Sequence, residues 1–186
     1  MITQNLPNVL TILRIVLSPF FILFMINDFL VLSFLLMFLI SVTDFLDGYL
    51  ARKYDLVTDL GKYLDPLADK VFILTVFFTL YFILGNSIFP LWMILLIFLR
   101  DFFITIMRNF LKSNQNNFRT SRLAKNKTLI QIICMHFIIF ILILDRYLIA
   151  NIDYSNIYYI MFFCTLITLI SGFDYIYQYY LKKNDE

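Results

Sequence analysis

The stretch "TDFLDGYLARKYDLVTDLGKYLDPLADK", Thr43–Lys70, decides how this chain folds. It carries six aspartates, yet apolar runs adjoin it on both sides. A helix turns about 100° per residue, so residues three, four, seven and eight apart lie on one face. Asp44, Asp47, Gly48, Ala51 and Arg52 have that spacing. Gly61, Asp65 and Asp69, each four apart, share a face of a second helix. The eight residues between Arg52 and Gly61 let the chain reverse. Two antiparallel helices would then turn four carboxylates toward one another, while Asp55 and Asp59 read as the turn.

The surroundings of this stretch set the class. The chain has 186 residues, of which 61% are apolar and 19% aromatic. A water-soluble surface cannot be made from that composition, so a membrane protein built only of helices is expected. A bilayer core takes about 20 apolar residues per helix. That ruler predicts six transmembrane helices, Val9–Ile26, Leu30–Leu50, Leu64–Leu84, Phe89–Leu111, Leu129–Ile149 and Ile157–Tyr180. They are expected to form a single membrane-embedded domain, residues 1–186. "GNS" (85–87) and "NIDYSN" (151–156) read as tight turns, and Lys112–Lys127 as a polar, basic linker. The N-terminus lacks the basic region and small-residue cleavage site of a removed signal peptide. Cys134 and Cys164 lie inside apolar runs and read as small packing residues rather than a disulfide or metal pair.

Charge gives the orientation. With the N-terminus inside, the inner ends and loops collect Arg14, Arg52, Lys53, Lys62, Lys70, Arg108, Lys112, Arg119, Arg122, Lys125, Lys127, Lys182 and Lys183. The outer loops keep only Arg146, and Arg100 lies within the fourth span. Positive residues favour the cytoplasmic side, so both termini and the acidic stretch are expected at the cytoplasmic face of the cell membrane.

Four carboxylates near hydrocarbon must be protonated, paired with bases or bound to cations. Hard oxygen donors without a His or Cys cluster suit Mg²⁺, Mn²⁺ or Ca²⁺. Two such ions sharing carboxylates clamp a phosphoryl or pyrophosphate group. Gly48 and Ala51 leave space for a ligand close to the helix, although small residues in a span often serve helix packing alone. Arg52 complements a phosphate or a carboxylate. A cation transporter would also use intramembrane acids. It does not account for Gly48, Ala51 and Arg52 beside them, or for acids confined to one side. An intramembrane prenyltransferase also sets aspartates and Mg²⁺ on a pyrophosphate, but with its aspartate motifs on widely separated helices.

The spacing D-x2-D-G-x2-A-R-x8-G-x3-D-x3-D, here Asp44, Asp47, Gly48, Ala51, Arg52, Gly61, Asp65 and Asp69, resembles the signature of the CDP-alcohol phosphatidyltransferases without a departure. "NLPNVLTILRI", "LDPLADK", "LRDFFITIMR", "AKNKT" and "SGFDY" extend the likeness over nearly the whole chain. They are most similar to bacterial members that use glycerol 3-phosphate as acceptor. "AKNKT" departs from the more usual G-K-x-K-T by Ala124 for glycine.

The resemblance implies transfer of the phosphatidyl group of CDP-diacylglycerol to glycerol 3-phosphate, releasing CMP, with two divalent cations, Mg²⁺ or Mn²⁺. It implies Asp44, Asp47 and Asp65 as metal ligands, with Asp69 at the same metal site and acting as general base. Gly48, Ala51 and Arg52 would line the nucleotide pocket, with Asn8 contributing. Cardiolipin synthesis, or another acceptor, is the alternative within the family. The partners are the two substrates and the lipid bilayer, with no nucleic acid, and a homodimer is expected.

An acceptor carrying a phosphate calls for a basic pocket, and Arg108, Lys125 and Lys127 fall on the family-like pieces. Arg119 and Arg122 read as topology residues beside anionic lipid heads. Arg100 and Asp101 are costly within a span unless paired or facing a cavity. His136 has no ligand partner at helical spacing and reads as a packing or hydrogen-bonding residue. Asp174 is expected to pair with a basic residue.

Overall fold

The computed structural model describes residues 6–53, 59–113, 122–148 and 152–184. The elements among them are six α-helices: α1 (Leu6–Ile26), α2 (Leu30–Lys53), α3 (Asp59–Leu84), α4 (Leu91–Ser113), α5 (Arg122–Leu148) and α6 (Ser155–Asn184). Phe, Ile and Val crowd these helices although they are poor helix formers in water. In hydrocarbon the helix is the way to satisfy each backbone N–H and C=O within its own segment.

Among the described residues, four helices are long and apolar enough to cross a membrane, over Val9–Ile26, Leu67–Leu84, Lys127–Tyr147 and Ser155–Gln178. In α2 the described apolar stretch is Leu30–Asp44, and the helix itself continues to Lys53. In α4 Arg100 and Asp101 divide the run.

Helix ends also move relative to the sequence expectation. Asp59 opens α3 instead of lying in the turn, and Asp55 lies outside the described residues. α4 runs to Ser113 and α5 begins at Arg122, so Lys125 and Lys127 sit in the first turns of α5, not in a linker. Basic side chains with long apolar stems favour this extension, because they remain helical while their charges reach toward the interface.

The chain divides into two compact units. The first contains Met1–Ile83 and Met135–Ile152, hence α1, α2, nearly all of α3 and the later part of α5. Within it α1 packs on α2. The three-residue connection between them turns at Asp28, which takes a left-handed conformation (φ 61°) that Asp tolerates better than most residues. Phe21, Met25, Met37, Ile40, Phe77, Leu80 and Ile138 are buried in this unit. Phe21 meets Phe72 edge-on, with ring centroids 6.2 Å apart. His136 stands edge-on to Phe34 at 5.3 Å and to Phe38 at 6.3 Å, the packing role expected of it. An exposed ion pair, Arg146 to Asp28 at 3.1 Å, brings the end of α5 to the same end of the unit as the α1–α2 turn. Large apolar side chains such as Leu23, Leu35 and Phe82 point outward, as a lipid-facing surface requires.

The second unit contains Leu84–Cys134 and Asp153–Glu186. Gly85, with φ 77°, follows the end of α3 in the left-handed conformation that glycine adopts without strain. Within this unit α4 packs on α6. Asp153 caps α6: the Ser155 backbone N–H donates to one carboxylate oxygen at 2.9 Å and the Ser155 hydroxyl to the other at 2.6 Å. The hydroxyl foremost, and then the N–H, hold the Asp153 carboxyl below the usual carboxylate range. Cys134 and Cys164 are buried free thiols, in keeping with a packing role.

The α4–α6 contact depends on the missing side chain of Gly172. A Cβ there would lie 2.9 Å from Arg100 Nε and 3.0 Å from its Cγ. Those atoms lie along the stem of a side chain tied at its far end, so they cannot step aside freely. Gly172→Ala is expected to cost about 1–3 kcal/mol of stability through overpacking. Thermal unfolding of the detergent-solubilised protein measures it. An unchanged midpoint would mean that Arg100 has a second place to go.

Candidate active site

The first unit holds the acidic site. Asp44 lies near the middle of α2's later half and Asp69 lies in the third turn of α3. Both carboxylates converge on one side chain from a third helix, Arg14 of α1. Arg14 Nη2 donates to Asp44 Oδ1 at 2.7 Å, and Nη1 donates to Asp69 Oδ1. The Arg14 side chain is 1% exposed, whereas each carboxylate is 35% exposed. The cation therefore sits behind the two acids, and the acids present an accessible face. A planar guanidinium offers its donors in a fixed fork, so one arginine can satisfy two carboxylates at once.

Asp47 follows Asp44 by one turn of α2, and Asp65 precedes Asp69 by one turn of α3. Their side chains, and those of Asn8, Gly48, Ala51, Arg52, Arg108 and Lys125, lie outside the described residues; the backbone of each is helical. Asp44 and Asp69 supply two hard oxygen donors, and no cluster of three or more potential ligands occurs among the described residues. The chemistry fits a divalent ion: oxygen donors only, and partly exposed.

Arg14 was expected among the cations at the inner face that set orientation. It is instead one of the most deeply buried side chains in the protein. A signal for this does exist in the sequence. Thr11, Arg14 and Ser18 are spaced three and four apart on an otherwise apolar span, and all three are buried. A polar stripe inside an apolar helix marks a face turned toward other polar groups.

The second unit holds a separate ionic network. Arg100 is buried; its Nη1 donates to Asp101 at 3.0 Å and its Nη2 to the Ser171 hydroxyl at 2.9 Å. Lys127 Nζ of α5 donates to the same Asp101 oxygen. Arg100 is thus paired inside the helix packing, and Asp101 joins α4 to α5. Two cations share one carboxylate here. Deeper in the same unit Gln131 Nε2 donates to the Thr168 hydroxyl at 3.2 Å. Asp174, expected to pair with a base, instead accepts from the Gln178 amide one turn on, at 3.2 and 3.3 Å.

A family model described as CDP-alcohol phosphatidyltransferase matches residues 4–171. A protein of Rickettsia bellii named CDP-diacylglycerol–glycerol-3-phosphate 3-phosphatidyltransferase is 41% identical over 184 residues, covering 94% of each chain. One of the same name from Rickettsia felis is 42% identical over 179 residues, again covering 94% of each. A Bacillus subtilis protein, also so named, is 36% identical over 146 residues, which is 70% of this chain and 74% of its own.

Proposed function

Because this chain belongs to the CDP-alcohol phosphatidyltransferase family, we propose that it transfers the phosphatidyl group of CDP-diacylglycerol to glycerol 3-phosphate. The products are phosphatidylglycerophosphate and CMP, a step of phospholipid synthesis. The observation that carries this reading is the convergence of Asp44 and Asp69, from two helices of the signature, on a single buried guanidinium. Carboxylates so assembled, and partly exposed, suit a site that receives a pyrophosphate.

Asp44, Asp47, Asp65 and Asp69 would hold two divalent cations, Mg²⁺ or Mn²⁺. When bound, these ions neutralise charge on the pyrophosphate and on departing CMP. Gly48, Ala51, Arg52 and Asn8 bind the nucleotide. Asp69 acts as general base and takes the proton from the 1-hydroxyl of glycerol 3-phosphate. The hydroxyl oxygen forms a bond to the phosphorus that bears the lipid. The bond from that phosphorus to the bridging oxygen breaks, and CMP carries that oxygen away.

Arg108, Lys125 and Lys127 take the acceptor's phosphate. The whole chain serves as one catalytic domain in the cell membrane, a homodimer with its site on the cytoplasmic side, where the cationic residues concentrate.

The test supplies purified protein with CDP-diacylglycerol and a panel of acceptors and identifies the lipid made. Glycerol 3-phosphate should give phosphatidylglycerophosphate. Product from phosphatidylglycerol, with none from glycerol 3-phosphate, would make the enzyme a cardiolipin synthase and overturn the choice of acceptor.

A further inference from the structure

Arg14 has no part in the chemistry outlined above, yet it is the group on which the site is built. It comes from α1, which contributes no acid to the signature. Its side chain is nearly inaccessible, and it reaches Asp44 on α2 and Asp69 on α3 together. Thr11 and Ser18, one turn to either side, are buried on the same face of α1, and the Ser18 hydroxyl donates to the Arg14 carbonyl at 2.9 Å. The guanidinium thus springs from the middle of a helix, on a buried polar face.

Two carboxylates brought this close, at the edge of a low-dielectric interior, repel each other strongly. Without a cation between them they would separate or bind protons, and α2 and α3 would lose the approach that defines the site. A site that depended wholly on divalent ions would disassemble each time the ions left. Here a permanent cation stands in the same arrangement on the buried side, and the exposed side of both acids stays accessible.

We propose that Arg14 is a built-in counter-cation, a positioning residue that keeps Asp44 and Asp69 converged when no divalent ion is bound. The inference rests on the reading of these acids as part of a metal centre. It adds that the centre is assembled before metal arrives. Arg14 covers the charge that metal would otherwise have to cover, so the fold of wild-type protein depends little on metal.

The experiment is thermal unfolding of the full chain in detergent, with EDTA and with Mn²⁺ alone. Wild type should unfold at nearly the same temperature in both. Arg14→Gln should fall by about 10 °C in EDTA, as removal of one partner from a buried ion pair implies. Mn²⁺ should restore most of that loss, because the metal binds the folded form and replaces the missing charge. Adding Asp44→Asn to Arg14→Gln should restore stability in EDTA, since one of the repelling charges is gone. Arg14→Lys, a milder change should Arg14→Gln not fold, should show the same metal-dependent deficit at smaller size, because a point charge lacks the fork.

An equal loss in EDTA and Mn²⁺ would make Arg14 an ordinary buried structural residue and overturn the proposal. No loss in either condition would overturn it too. Mn²⁺ binding to wild type, read by electron paramagnetic resonance, separates the two levels of the reading. Failure to bind Mn²⁺ sinks the metal centre itself and this proposal with it. Binding without metal-dependent rescue of the variants sinks the role of Arg14 alone.

Discussion

Asp69→Asn is expected to lower kcat by about 10²- to 10⁴-fold, the usual worth of a general base. The substitution keeps the shape of the side chain and an oxygen that still accepts from Arg14 Nη1, so the three-helix junction at Arg14 survives. It removes the ability to take the acceptor's proton. The comparison that gives the result meaning is Asp65→Asn. That variant should lose Mn²⁺ and nucleotide binding more than Asp69→Asn does, because Asp65 is assigned to the metals alone. Turnover and Mn²⁺ titration of both variants measure the difference. Full activity in Asp69→Asn would remove the base assignment.

Lys127→Met is expected to raise the KM for glycerol 3-phosphate by about 10- to 100-fold, the loss of one charge-assisted hydrogen bond to a phosphate. The KM for CDP-diacylglycerol should stay within about twofold. The fold should tolerate the change. Asp101 keeps Arg100 as its counter-charge at 3.0 Å, and Met preserves the apolar stem of the lysine. Steady-state kinetics with each substrate varied in turn separates the two constants. Equal increases in both, or a fall in kcat alone, would show that Lys127 acts on the structure and not on the acceptor.

The helical membrane fold was legible because hydrocarbon leaves few alternatives. Runs of apolar residues become helices whatever their propensity, and their count gave six helices. The pairing of the acidic stripes was also legible. Asp44 and Asp69 lie on different helices and meet at Arg14, while the side chains of Asp47 and Asp65 lie outside the described residues.

The pairing of Arg14 was missed because a cation on an apolar span has an ordinary topological explanation. Only its partners, 30 and 55 residues along the chain, reveal its place beside the acids, and periodicity along one helix cannot register them. The same limit hid the Asp101 link between Arg100 and Lys127. It also left Asp174 with an expected basic partner, when an amide four residues on was within reach.

The central claim is that converging aspartates run a metal-dependent transfer from a lipid-borne pyrophosphate. Its most direct measurement is CMP release from CDP-diacylglycerol by the purified protein with glycerol 3-phosphate, in Mg²⁺ or Mn²⁺ and in EDTA. The expected result is one CMP per phosphatidylglycerophosphate formed with metal present, and neither product in EDTA. Absence of CMP release in every condition, with cation flux across vesicles containing the protein, would contradict it and make the acids an ion path instead.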